Sequence, residues 1–354
     1  MTTVQRHTKA EDDQQQPPAL HGAALEFVWL ELTGKCQLQC TQCYAESGPS
    51  GTHGTMSDED WIRVIDQAVG LGVGMVQFIG GEPMLHPALG TLVEHALDQG
   101  VAVEVYSNLV HVPKHLWTIL SREGVQLATS WYTDDPGEHA QIVGRPTHRQ
   151  TLANIQLAQS LGIPLRAGAI RLANDQRIEH GVNQLHTLGV SQVGVDDLRG
   201  VGRGAIGAEP DLSALCGQCA NGRVAILPDG SVSPCVFSRW DQMHVGNVRR
   251  QSLTDIVAGT PLTTIRQELQ NHFNTSTAPV GVCDPNGACR PNTPPPGCRP
   301  QVPSCLPDRP HPVADPAEQA PARSACEPGI CGPGTRHCKP VAPTCLPDKP
   351  HPVN

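Results

Sequence analysis

Cys36-x-x-x-Cys40-x-x-Cys43 puts three thiols within eight residues. Three thiolates on one short loop can hold three irons of a [4Fe-4S] cube and leave the fourth iron open to a small ligand. An open iron suggests catalysis rather than electron storage. A zinc site short of its fourth ligand, or three buried thiols with no chemistry, are plainer readings of the same spacing. A second set, Cys216-x-x-Cys219 with Cys235, follows far along the chain, with Asp229-Gly230 making a turn shortly before Pro234-Cys235. A zinc ribbon would need a second Cys-x-x-Cys here, and the segment lacks one.

The elements that must position these thiols are legible as alternating apolar patterns. Buried strands are predicted at Glu26 to Leu32, Met75 to Ile79, Ala102 to Tyr106, Gln126 to Trp131, Pro164 to Ile170 and Val190 to Val195. Helices are predicted between them. The first is capped by Ser57 and carries Trp61, Ile62, Ile65, Ala68 and Val69 at helical spacing; others fall near Ala88 to Asp98, Lys114 to Arg122 and Leu152 to Leu161, and before Leu188. Such βαβ alternation predicts an α/β fold with a parallel sheet, either doubly wound or curled into a partial barrel. In both, ligands sit beyond the carboxyl ends of the strands, so the loops after Leu32, Ile79, Tyr106 and Trp131 should line the site.

The chain has 354 residues, ample for one barrel-sized domain and a smaller unit, and its 25 Lys and Arg against 34 Asp and Glu give a formal charge of −9. No basic track offers itself to nucleic acid. Met1 to Pro18 is polar and unlike a secretory signal, and no apolar stretch is long enough for a bilayer. The expectation is a cytoplasmic protein whose 14 Cys are metal ligands or free thiols rather than disulfides. Composition shifts past Gly200, giving expected divisions at 1–25 (disordered leader), 26–205, 206–275 and 276–354. The third unit ends in predicted helices around Ser252 to Val257 and Pro261 to Leu269. In the last, Cys298 to Val313 recurs as Cys338 to Val353, each copy Pro-rich, which precludes helix and central strand and predicts a flexible tail. Its cysteines, with His311 and His351, would suit a borderline metal; a Pro-rich interaction tail is the alternative.

The three cysteines followed by Tyr44, with Gly80-Gly81-Glu82-Pro83 after the second strand, resemble the radical S-adenosylmethionine (SAM) superfamily over roughly residues 26 to 200. The resemblance implies a partial (β/α)6 TIM-type barrel. It also implies a cluster whose open iron is chelated by the methionyl amino and carboxylate groups, and reductive cleavage to methionine and a 5′-deoxyadenosyl radical. Around that cofactor it implies Tyr44, the Gly80-Gly81 backbone, Glu82 toward the ammonium, Pro83, and Ser107, Asn108 and Ser130 near the ribose. Arg166 or Arg171 would meet the methionyl carboxylate, since guanidinium pairs with it bidentately. The metal ligands would be Cys36, Cys40, Cys43, Cys216, Cys219 and Cys235.

The Cys216 to Cys235 segment, with Gly246-Asn247-Val248 and Ser252-Leu253, resembles the SPASM or shorter twitch domain that carries auxiliary [4Fe-4S] clusters. Cys283, Cys289, Cys298 and Cys305 depart from the spacing of a full SPASM domain, so one auxiliary cluster is expected, its fourth ligand a tail cysteine or none. A structural zinc remains the alternative. The resemblance implies an oxidoreductase or maturase that abstracts hydrogen from a ribosomally made peptide and oxidises, epimerises or cross-links it. An electron donor such as flavodoxin or ferredoxin would serve it. Tailoring of a sugar or aminocyclitol is the second expectation, favoured by a leader too short for a fused peptide-recognition domain. A non-catalytic electron carrier is the third. Asp196, Asp197 and Arg199, near the sixth strand end, are candidate substrate contacts or a solvated loop.

Overall fold

The computed structural model describes residues 24–275; the leader and the repeat tail, with its cysteines, His311 and His351, lie outside them. Six parallel strands come first: β1 (Phe27–Thr33), β2 (Met75–Gly80), β3 (Ala102–Tyr106), β4 (Val125–Trp131), β5 (Leu165–Arg171) and β6 (Gln192–Asp197). They pair in strict succession. A doubly wound sheet reverses its strand order partway, and the reversal sends helices to both faces. Here the order never reverses, so right-handed crossovers put every helix on one face. The partial barrel is therefore the fold, and the alternation of side chains sorts its two faces. Val28, Leu30, Val76, Phe78, Val103, Val105 and Leu127 are fully buried against the helices. Trp29, Glu31, Gln77, Ile79, Glu104 and Tyr106 alternate with them and face inward.

The outer helices are α1 (Asp58–Gly70), α2 (Leu89–Asp98), α3 (Lys114–Leu120), α4 (Pro136–Val143), α5 (His148–Ser160) and α6 (Ile178–Thr187). Ser57 starts α1 with a capping box: its hydroxyl accepts from the Asp60 N–H while the Asp60 carboxylate accepts from its own. The pattern of apolar residues did not predict α4. Its signals are local: Asp135 accepts from the Glu138 N–H at 2.7 Å, Pro136 occupies the first turn, and Gly144 ends it with φ 77°.

The inward face is closed at depth by a polar floor. Glu104, fully buried, accepts from Gln77 on β2, from Gln126 on β4 at 2.7 Å, and from both arms of the Arg166 fork on β5 at 2.7 and 2.6 Å. A buried carboxylate persists when its lone pairs are filled, and one cation with two amides fills these.

Beyond residue 205 the sheet does not end. Strand β7 (Arg223–Ile226) pairs in parallel with β1, and β8 (Ser231–Ser233) and β9 (Gly246–Asn247) continue it antiparallel, giving nine strands in all. Gly230, at φ 85°, makes the turn between β7 and β8. Helices α7 (Leu253–Ala258) and α8 (Thr260–Thr275) follow, Ser252 capping the first through the Asp255 N–H. The C-terminal segment thus extends the barrel wall on the β1 side. Among the described residues no helix is long and apolar enough to cross a membrane.

Candidate functional site

The loop after β1 carries Cys36, Cys40 and Cys43, and backbone bonds on several sides fix it. Gly34 N–H donates to Thr52 O and Cys36 N–H to Gly48 O; Gln39 and Thr41 N–H donate to Val143 O and Ile142 O at the end of α4. The Cys36 sulfur accepts from the Leu38 N–H at 3.4 Å and from Asn108 Nδ2 at 3.6 Å. Without iron, Cys36 and Cys40 resist ionisation. Cys36 is pushed up to about 12 by burial and then by the Glu82 charge, and Cys40 to about 12 by burial and its two neighbours. Sulfurs held where thiolates are costly are what a cluster's positive charge stabilises. The donor set fits a [4Fe-4S] cluster with one iron left open.

Gly80 and Gly81 bring β2 against this loop. Gly80 has φ 129°, and a Cβ there would lie 2.6 Å from Thr33 O; one on Gly81 would lie 2.3 Å from Lys35 O. Only glycine permits that approach. Both line the cavity in front of the cysteines. Glu82 is not among the lining residues. It turns inward and is fully buried, accepting from Met84 N–H at 3.0 Å, Ser107 Oγ at 2.8 Å and Asn108 N–H at 2.8 Å. Burial raises its carboxyl to about 7 despite these bonds. Pro83 is buried behind it. Ser107, its hydroxyl donated to Glu82, is likewise absent from the lining, whereas Asn108 lines the cavity. Ser130 lines it too, its hydroxyl 3.2 Å from that of Tyr106.

Arg166 also lines the cavity, its guanidinium paired through Nε and Nη2 with Glu104. Arg171 pairs with Asp197 at 3.1 Å and Glu179 at 3.3 Å. Tyr44 packs edge-on to Phe237, ring centroids 5.1 Å apart, under the Arg239 guanidinium. Arg239 in turn is ion-paired with Glu31 of β1, so a residue of the C-terminal segment reaches into the barrel interior.

The second thiol set brings two sulfurs into contact. Cys219 Sγ lies 3.1 Å from Cys235 Sγ. Cys216 is brought down to about 6, first by a hydrogen bond from the Cys219 thiol, then by the nearby Arg199 and Arg223 charges, which together overcome burial. The same bond drives Cys219 well up. The Cys219 bond also helps bring Cys235 down against burial, so thiolate character gathers on Cys216 and Cys235.

Both thiol sets open into one cavity of about 290 Å³. Asp196, Asp197 and Arg199 line it as well. Asp196 is paired with Arg199 at 3.1 Å, burial nevertheless raising its carboxyl, and the Arg199 guanidinium stacks 4.5 Å over Phe237. Sequence reasoning missed His139 and Arg203 in this wall. His139, on the unpredicted α4, is lowered to about 4 by burial and by His148, and is therefore neutral at ordinary pH. Arg203 stands between two glycines, a pattern read from the sequence only as a change of composition.

Comparison with known proteins agrees with this architecture. The model of the Radical SAM superfamily matches residues 30–183, and that of an iron-sulfur cluster-binding domain, SPASM, matches 216–289. A PqqA peptide cyclase of Granulibacter bethesdensis is 23% identical over 273 residues, covering 65% of this chain and 73% of the relative. That of Streptomyces rochei is 30% identical over 142 residues, 40% of this chain and 39% of the relative. A GTP 3',8-cyclase of Streptomyces coelicolor is 29% identical over 157 residues, 42% of this chain and 46% of the relative. The chain thus spans less than half the length of two of these three. Among solved structures, Streptococcus suis SuiB bound to precursor peptide SuiA superposes with TM-score 0.60 at 18% identity, covering 69% of this chain and 67% of SuiB.

Proposed function

Since the chain belongs to the radical SAM superfamily and carries a SPASM iron-sulfur unit, we propose that it modifies a ribosomally made peptide by hydrogen abstraction followed by oxidation, epimerisation or cross-linking. Its cofactors are S-adenosylmethionine, a [4Fe-4S] cluster and auxiliary iron-sulfur. When bound, the cluster and S-adenosylmethionine supply a 5′-deoxyadenosyl radical that takes a hydrogen atom.

In this reading Cys36, Cys40 and Cys43 hold the catalytic cluster, and Cys216, Cys219 and Cys235 the auxiliary one. Residues 26–205 are the catalytic barrel and 206–275 the auxiliary unit. Gly80 and Gly81 leave room for the methionyl group, Asn108 steadies both the loop and the Cys36 sulfur, and Ser130 and Tyr106 present hydroxyls to the cavity. The apolar and aromatic wall excludes water from a reactive radical. A low-potential donor of the flavodoxin or ferredoxin type would supply the electron.

The observation that carries this is the shared cavity: both thiol sets line it, so a substrate seated there lies within reach of a site that removes hydrogen and a site that accepts an electron. The PqqA peptide cyclases among its relatives favour a peptide substrate. The GTP 3',8-cyclase similarity is the ground for a second reading, a small-molecule substrate. Anaerobically reconstituted protein with a reductant should produce 5′-deoxyadenosine, and candidate precursor peptides should stimulate that production and gain or lose mass. Stimulation by nucleotides or aminocyclitols but by no peptide would favour the second reading; no 5′-deoxyadenosine under any condition would leave only an electron carrier.

A further inference from the structure

The loop of the first thiol set is gripped by a residue 163 positions from Cys40. Arg203 Nε donates to Cys40 O at 2.7 Å and its Nη2 to Ser47 O at 2.8 Å, while its backbone N–H donates to Cys43 O at 3.0 Å. These three bonds span the loop from its middle cysteine to past its last. The flanking glycines make the contact possible. A Cβ on Gly202, at φ 57°, would lie 2.3 Å from Tyr44 O, and one on Gly204 would lie 2.4 Å from Arg199 O.

We propose that Arg203 is a positioning residue of the first thiol set: it locks the loop and places a permanent cation beside the thiolates, raising the reduction potential of the cluster they hold. Reduction adds one negative charge to the cluster, and a fixed cation nearby stabilises the reduced form more than the oxidised one. Guanidinium suits the task better than an ammonium, because its rigid fork reaches two carbonyls at once and stays charged. The inference rests on the reading that Cys36, Cys40 and Cys43 hold the catalytic cluster.

The test is an EPR-monitored redox titration of full-length, anaerobically reconstituted protein, comparing wild type, Arg203→Lys and Arg203→Gln. Arg203→Gln should make the one-electron reduction of the catalytic cluster about tenfold less favourable, about 59 mV more negative. Arg203→Lys, which keeps the charge, should recover most of that shift, and the auxiliary cluster should titrate alike in all three. A catalytic-cluster midpoint in Arg203→Gln equal to wild type overturns the proposal, as does an Arg203→Lys shift as large as that of Gln. Hydrogen exchange provides a second readout that needs only Arg203→Lys: loss of one carbonyl bond should speed exchange of the Gln39 and Thr41 amides at least tenfold, and unchanged exchange overturns the lock. The Cys36→Ala/Cys40→Ala/Cys43→Ala variant tests the underlying reading separately. It should retain only the auxiliary signal, and a spectrum identical to wild type would sink that reading whatever Arg203 does.

Discussion

Glu82 illustrates how a residue of the right type at the right spacing takes an unexpected role. Its position after Gly80-Gly81 was plain in the sequence; its orientation was not, because the three donors that turn it inward come from its own turn and from the end of the neighbouring strand. Burial holds its carboxyl at about 7, against about 4.3 for a free Glu. The folded protein therefore keeps a proton that the unfolded chain has lost between these values. This contribution to stability is present at low pH and is lost as pH rises through about 7, by about 4 kcal/mol at most. Thermal midpoints of wild type without S-adenosylmethionine should accordingly fall from pH 5 to pH 8 relative to those of Glu82→Gln, and parallel profiles would show that Glu82 does not titrate in this range. Asn108 has a role visible only in three dimensions, its amide reaching the Cys36 sulfur. Hydrogen bonds to cluster sulfurs raise the potential, so Asn108→Ala should shift the catalytic-cluster midpoint negative in the same titration, while Ser130→Ala should leave it unmoved.

At the scale of elements, all six barrel strands were legible, because one face of each packs on helices and repeats every second residue in apolar type. Helix α4 was not, since it is short and its apolar positions make no clear stripe; Asp135-Pro136 at its start and Gly144 at its end were its readable marks. The polar floor escaped for a related reason. Gln77, Glu104, Gln126 and Arg166 look like ordinary solvated strand residues until the strands close and set them side by side. Their burial makes a specific cost predictable. Glu104→Gln leaves the Arg166 charge without its counter-ion and should destabilise the protein by about 3 kcal/mol, read from urea unfolding. The double variant Glu104→Gln/Arg166→Met should recover a large part of that loss, and an additive result would mean that the two side chains do not act as a pair.

The whole molecule joins its two thiol sets through a sheet that runs on past residue 205, from β1 directly into β7. The cysteines themselves were readable from spacing. That both sets would face one cavity was not, because their meeting depends on β7 lying beside β1 in space, a contact between residues nearly two hundred positions apart. A fragment ending at residue 205 would expose the edge of β1, an apolar strand with unpaired backbone groups. Such a fragment should be recovered mainly as aggregate under conditions where the full chain remains in solution, and a well-behaved monomer would show that the barrel does not need this neighbour. The grip of Arg203 on the cysteine loop carries a consequence for biogenesis. The ribosome makes Cys40 long before it makes Arg203, and at about 5–20 residues per second the gap is on the order of ten to thirty seconds. Throughout that interval the nascent loop lacks its tether, so iron and sulfide are best delivered only after the later half has emerged and docked.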